Sequence, residues 1–306
     1  MNRFSLGIAG AACVMALTPV STPVAQTQQD PVASFSVNVD AVALDVIVTE
    51  ANGRFVNGLT EADFLVLENG IPQKLQLFTA DVTPVTVLVL LDSSASVRTH
   101  LNDVKAAANR FINRLPRGDA ARIGFFHDRV VFGPRFTDNM KEHVAMINQM
   151  RPQRSTHLFD AVIEALEALA DVRARKALLL FTDGDDEGST ASMQEALEAA
   201  RRSQAAVYSI GLLGWSSGEG METNEPLLTQ MAADTGGRAF FPKDEKEMRR
   251  SFDMMSDELH RQYRMTYFPS DASQPGWRTV DVKMTKRMNL VVRTRSGYVA
   301  AGTGSQ

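Results

Sequence analysis

From Phe35 onward, apolar and polar residues largely alternate: Phe35, Val37, Val39, Val42, Leu44, Val46 and Val48 lie at or near every second position. A period of two sets one face of a strand against a core and the other in water. Asn52-Gly53 follows, a pair suited to the positive-φ positions of a tight hairpin turn. Residues 64–67 and 73–78 continue the β pattern, interrupted by a second Asn-Gly pair at 69–70.

At 86–91 the pattern changes to an unbroken apolar run, Thr-Val-Leu-Val-Leu-Leu, as in a strand buried on both faces. Helical and strand signals then alternate. Residues 100–115 carry Leu101, Val104, Ala108, Phe111 and Ile112 on one helical stripe. Strands at 121–126 and 130–136 are close enough to form a hairpin, and helices are predicted at 139–150 and 158–172. A second buried strand covers 176–182, and Ser192 with Glu195 forms a capping box that opens the next helix. A strand at 205–213, a helix at 224–234, a short strand at 238–241 and a helix at 244–260 complete the series. β pattern then returns at 264–268, 278–284 and 289–293, ending at Tyr298.

This order predicts an α/β fold: a Rossmann-like, doubly wound, mostly parallel sheet covered by helices on both faces. It occupies 82–261, between β-rich flanks at 35–81 and 262–300, with a short tail at 301–306. Each flank is marginal for folding alone, so the two are expected to pair into one small β domain with the α/β segment inserted between them.

The first 26 residues predict a signal peptide: Arg3, then an apolar stretch from Leu6 to Leu17, then small residues before Gln26. The apolar run is shorter than the roughly 20 residues a membrane span requires, and no later segment reaches that length. Residues 27–34 follow as a polar linker. The expectation is an exported protein, periplasmic or extracellular, with no membrane span in the mature chain. The single cysteine, Cys13, lies inside the signal segment, which leaves the mature chain without a disulfide or thiolate site. The 306 residues carry a net charge of -4, with a pI of about 5.8, so no overall positive field recruits nucleic acid.

Candidate chemistry gathers where the buried strands end. The first runs into Asp92-Ser93-Ser94-Ala95-Ser96, and an extended backbone would turn the side chains of 92, 94 and 96 to one side. The second ends in Thr182-Asp183-Gly184, and Ser155-Thr156 precedes the helix near Leu158. The carboxyl ends of parallel strands are where open α/β sheets place ligands. Every candidate donor is an oxygen, which suits a hard cation such as Mg2+ or Mn2+ rather than zinc. Two carboxylates neutralise a divalent ion and leave an open coordination position.

Asp92, Ser94, Ser96, Thr156 and Asp183 resemble, residue by residue and in order, the metal-ion-dependent adhesion site of the von Willebrand factor type A (VWA) family, Asp-x-Ser-x-Ser followed by Thr and then Asp. The resemblance spans residues 84–260. It implies a metal held by those five residues, with the acidic side chain of a protein partner completing its coordination. Family members often carry two glycines before the Thr; Arg154-Ser155 stands there instead, stiffening the loop and adding a cation. The flanks look like those of exported bacterial VWA-related proteins in Gly58-Leu59-Thr60, Asp63-Phe64 and Arg295-Ser296-Gly297-Tyr298. The function expected from the resemblance is cation-dependent protein binding, as an adhesion or scaffold module, without catalysis. A metal-dependent hydrolase and a purely structural envelope protein are the alternatives.

Other motifs carry less. Asp183-x-Asp185-x-Glu187-Gly188 begins like a calcium loop, but Gln194 stands where the twelfth-position acid is required. The acids Asp185, Asp186 and Glu187 are expected to form a solvated loop near a helix N-terminus, with a second cation site as the sharper alternative. Gly214-Trp215-Ser216-Ser217-Gly218 matches a nucleophile elbow in letters, yet Gly218, Gly220 and Pro226 delay the helix that an elbow needs. No phosphate-cradling Gly-x-x-x-x-Gly-Lys is present, and the five histidines form no ligand spacing.

Overall fold

The structure, a computed structural model, describes residues 41–81, 84–153, 155–212, 225–271 and 275–301. The signal-like segment, the linker, positions 35–39, Arg154, the 214–218 motif and the side chain of Ser96 lie outside that description.

The amino-terminal flank forms β1 (Val42–Thr49), β2 (Phe64–Glu68), β3 (Ile71–Gln73) and β4 (Leu75–Thr79). Asn69 and Gly70, with φ of 49° and 80°, turn β2 back onto β3. The run expected at 73–78 is split at Lys74, because its two halves belong to different sheets. β3 pairs with β2, whereas β4 pairs with a strand more than 180 residues further on.

The central sheet consists of β5 (Val85–Asp92), β6 (Ala120–Phe126), β7 (Val130–Phe132), β8 (Arg175–Thr182), β9 (Ala206–Gly211) and β10 (Ala239–Phe240), in the order β10-β9-β8-β5-β6-β7. All neighbours are parallel except the β6–β7 edge pair. β5 and β8 lie side by side at the centre, where the strand order reverses.

The helices are α1 (Leu101–Arg114), α2 (Met140–Gln149), α3 (Leu158–Ala168), α4 (Met193–Arg202), α5 (Glu225–Thr235) and α6 (Glu245–His260). Alternation along the buried strands divides the core. Val87, Val89, Leu91, Leu179 and Phe181 face α1, α2 and α6, whereas Leu88, Leu90, Leu178 and Leu180 face α3, α4 and α5. Each fully buried side chain of this kind contributes roughly 1.5–3 kcal/mol relative to exposure. α3 ends at Ala168 rather than 172, since its last turn tightens and Lys176 Nζ caps the Leu169 and Ala170 carbonyls at 2.9 and 3.2 Å. A Cβ at Gly237 would lie 1.9 Å from the Val207 carbonyl oxygen, so the chain before β10 can approach β9 only as glycine.

The carboxyl-terminal flank supplies β11 (Tyr263–Tyr267), β12 (Gly276–Met284), β13 (Val291–Arg293) and β14 (Gly297–Ala300). Two four-stranded antiparallel sheets result, β13-β1-β11-β4 and β14-β12-β2-β3, each containing strands from both flanks. They share one core built on Leu44, Val46, Phe64, Val66, Met265, Tyr267, Val280 and Val282. Arg278 is buried beside that core, where Glu68 accepts from it at 2.8 Å and also accepts the hydroxyls of Tyr267 and Tyr298.

α6 is fastened at its carboxyl end. Buried Glu258 pairs with Arg238 at 2.9 Å and with Arg293 of β13. His260 places Nε2 2.7 Å from Asp119 Oδ2 and Nδ1 2.7 Å from the Ser256 carbonyl. Both ring nitrogens face acceptors, so the doubly protonated imidazolium is favoured. Burial alone would lower the His260 pKa, but the Asp119 and Ser256 bonds outweigh it and raise it above 6.5. A raised histidine contributes stability in full below its unfolded pKa, and this is lost as pH rises through the folded value. His260→Ala should therefore cost about 1–3 kcal/mol near pH 6 and clearly less near pH 9, read from denaturant unfolding at both.

Candidate metal centre

Asp92 is the last residue of β5 and is completely buried. The β5–β8 register sets Leu91 opposite Phe181, so Asp92 stands level with Thr182, whose hydroxyl donates to Asp92 Oδ2 at 2.9 Å. Asp92 Oδ1 accepts the Ser94 backbone N–H at 2.8 Å. That bond closes a turn, and residues 96–100 then coil into a short 3-10 helix. The extended segment expected over 92–96 is therefore absent. Ser94 is brought to Asp92 by a local carboxylate-to-backbone turn rather than by strand alternation, and Ser96 starts the coil. Ser94 is 1% exposed. Ser93 is fastened in the opposite direction, donating both its N–H and its hydroxyl to the Phe126 carbonyl at the end of β6.

Asp183 immediately follows β8 and is 8% exposed, and Asp185 N donates to its Oδ1 at 3.3 Å. Thr182 Oγ1 accepts from Gly184 N at 3.0 Å, which bends the chain after the strand. Thr156, 2% exposed, lies in the loop before α3, and its carbonyl accepts from Glu187 N at 2.8 Å. The next residue, His157, donates its N–H to the His127 carbonyl. The Thr156 loop is thus tied on one side to the loop after β8 and on the other to the loop after β6.

Burial, and then the charge of Asp183, push the Asp92 carboxyl up to about 7, against the opposing pull of the Ser94 and Thr182 hydrogen bonds. A buried carboxylate with a second carboxylate beside it is costly unless a cation joins them. The described side chains that act on Asp92, those of Ser94, Thr182 and Asp183, offer hydroxyl and carboxylate oxygens, a donor type that fits a hard divalent ion. Among the described residues, no group of three or more His, Cys, Asp or Glu side chains is placed to hold a metal ion, so any site here must draw on hydroxyls as well as Asp92 and Asp183.

The acidic loop divides its labour. Asp186 accepts from Phe159 N at 3.1 Å and, together with Ser189, caps the amino end of α3, while Asp160 of α3 accepts from Thr190 and Ala191 in return. The helix it serves is therefore α3, not the α4 that follows it in sequence. Asp185 is half-buried, its pKa raised by burial and by Asp183, and Glu187 is exposed. His157 occupies the cap position of α3 without capping it, and its ring packs so closely on Gly188 that a Cβ there would meet it at 2.5 Å. Thr182, Ser189 and Asp160 are supporting residues that sequence did not single out. The one signal for Thr182 is a hydroxyl directly before the acid that ends a buried strand.

The family profile for the von Willebrand factor type A domain matches residues 86–253. No curated protein matches the chain. Among solved structures, von Willebrand factor type A from Catenulispora acidiphila is similar over 87% of this chain and 75% of its own, at 13% identity and a TM-score of 0.50. The vWF domain of the type V pili tip protein Mfa5 from Porphyromonas gingivalis is similar over 59% of this chain and 96% of its own, at 13% identity and a TM-score of 0.47. Proximal thread matrix protein 1 from the mussel byssus, with a zinc occupied MIDAS motif, is similar over 63% of this chain and 49% of its own, at 17% identity and a TM-score of 0.49.

Proposed function

Because the chain belongs to the von Willebrand factor type A family, a family of protein-interaction and adhesion modules, we propose that it binds a protein partner through one divalent cation held by Asp92, Ser94, Ser96, Thr156 and Asp183. The carrying observation is the fully buried Asp92 carboxylate, raised in pKa by burial and by Asp183, at the carboxyl ends of the two central strands. Mg2+ or Mn2+ suits these oxygen donors, and each neutral hydroxyl leaves the ion's charge available to a further carboxylate. An acidic side chain of the partner would supply it. When bound, the ion would act as the electrostatic bridge. The chain's own residues would hold it rigidly, since Thr182 and the Ser94 N–H fix both oxygens of Asp92.

Adhesion or scaffolding is favoured over hydrolysis. Activating water would need a positioned base or a second ion, and Asp186, one of the additional acids, is engaged in capping α3. The apolar segment after Arg3 supports export, and among the described residues no helix is long and apolar enough to cross a membrane.

Affinity recovery from envelope extract tests this reading. The full chain should retain a specific partner in Mg2+, release it in EDTA, and fail to retain it as Asp92→Asn. A partner held equally well in EDTA would defeat cation-dependent binding.

A further inference from the structure

We propose that a cavity at the other end of the molecule binds a small polyvalent oxyanion of the phosphate class. The cavity, about 250 Å³, lies where β1 and β14 meet the start of β8 and the end of α4. Arg175 and Lys176 open β8 on its wall, whereas Asp183 follows the far end of the same strand, so the two sites lie at opposite ends of the central strands.

Eight arginine and lysine side chains line the cavity, against a single carboxylate, Asp45, in a chain of net charge -4. Four of the eight reach an acid: Arg175 pairs with Asp45, Arg201 with Asp234, Arg202 with Glu198 and Arg278 with Glu68. The other four do not. Lys176 and Arg295 donate only to backbone carbonyls, those of Leu169 and Ala170, and of Gly297, Arg201 and Ser203. The side chains of Arg173 and Arg264 make no hydrogen bond or ion pair among the described residues, although Arg264 is half-buried. Burial depresses the pKa of both Lys176 and Arg295, outweighing the opposing charges of Asp171 on the first and Asp45 on the second.

These four cations come from three separate stretches of chain: the start of β8 with the residues just before it, β11, and the connection between β13 and β14. Local helix or strand pairing therefore does not account for their convergence. A monocarboxylate would neutralise one of them, while a phosphate or diphosphate carries enough charge for several and matches the guanidinium fork. Pro269, Tyr298 and Val299 form an apolar portion of the wall, leaving room for an organic ester group.

Calorimetric titration of the full chain with pyrophosphate, in EDTA and low salt, tests the proposal. Binding should weaken as salt rises and should exceed that of citrate at equal ionic strength. Arg173→Ala/Arg264→Ala should raise the Kd by about tenfold or more without moving the melting temperature, because neither side chain has a protein partner to lose. The single variant Arg264→Ala should show a smaller shift in the same direction. Asp92→Ala should bind pyrophosphate as the parent does, which separates this cavity from the metal centre. Absence of pyrophosphate binding, citrate binding at least as tightly, or an unchanged Kd in the double variant would each overturn the proposal.

Discussion

Asp92→Ala should eliminate divalent-cation binding, lowering affinity by at least about 100-fold, since the loss exceeds what removal of a ligand-supporting residue costs. The side chain supplies half of the charge that would neutralise the ion, and Asp183 cannot replace it from the neighbouring strand end. Asp92→Asn should do the same while keeping the shape of the site, and it carries a second signature. The Asp92 carboxyl is raised from 3.8 to about 7 in the metal-free fold. Between those values the native state binds more protons than the unfolded chain, so metal-free stability falls as pH rises through the window and stays low above it. At about pH 8 in EDTA, Asp92→Asn should therefore be more stable than the parent, and near pH 4 the two should converge. Added Mg2+ should stabilise only the parent, and its affinity should weaken below about pH 7, where protons compete for the same oxygens. Calorimetry showing unchanged Mg2+ affinity in a correctly folded Asp92→Ala protein would remove Asp92 from the site.

What sequence reveals here depends on whether the determinant is local. The apolar runs ending at Leu91 and Phe181 identify the two central strands, and hence where ligand-binding residues must emerge. The Ser192–Glu195 capping box is equally legible because its partners are three residues apart. The pairing of β4 with β11 is not, since that contact is set by which sheet has an open edge, and the split at Lys74 follows from it. The site behaves likewise. Four of its five candidate positions can be read from strand ends and the fifth, Thr156, from a helix start, but the support comes from elsewhere in the fold: Thr182 on Asp92, and Asp186 on α3. Strand parity suggested the wrong geometry for 92–96, because a carboxylate two residues before a backbone N–H can close a turn that ends the strand. The basic cavity left no pattern in sequence, as residues 173, 264 and 295 meet only when the sheets have paired.

Residues 84–261, expressed alone, should fold cooperatively and bind Mg2+ as the full chain does, whereas neither flank should fold by itself. The reason is where the apolar contacts stop. Both cores of the central sheet are built wholly from residues between Val85 and Leu259, and the sandwich core comes wholly from the flanks. Polar and cation–aromatic contacts cross between them, Arg201 lying over the Trp277 ring at 5.3 Å. Arg293 pairs with Glu258, Asp45 with Arg175, and Ser296 donates to Asp234 at 2.9 Å. Cutting the chain returns those charges to water, and Glu258 keeps Arg238, so the isolated segment loses stability without losing a core. The sandwich has no such independence. β1 has its two partners, β11 and β13, in the carboxyl-terminal flank, and β4 pairs with β11. Without that flank only the β2–β3 hairpin remains paired, and an isolated hairpin is marginal in water. Deleting residues 263–301 should therefore leave 41–81 unfolded beside an intact central sheet, with its strand edges open to aggregation. Circular dichroism, melting curves and Mg2+ titration of the three pieces would decide it. An insoluble central segment accompanied by a stable amino-terminal flank would refute this division of the chain.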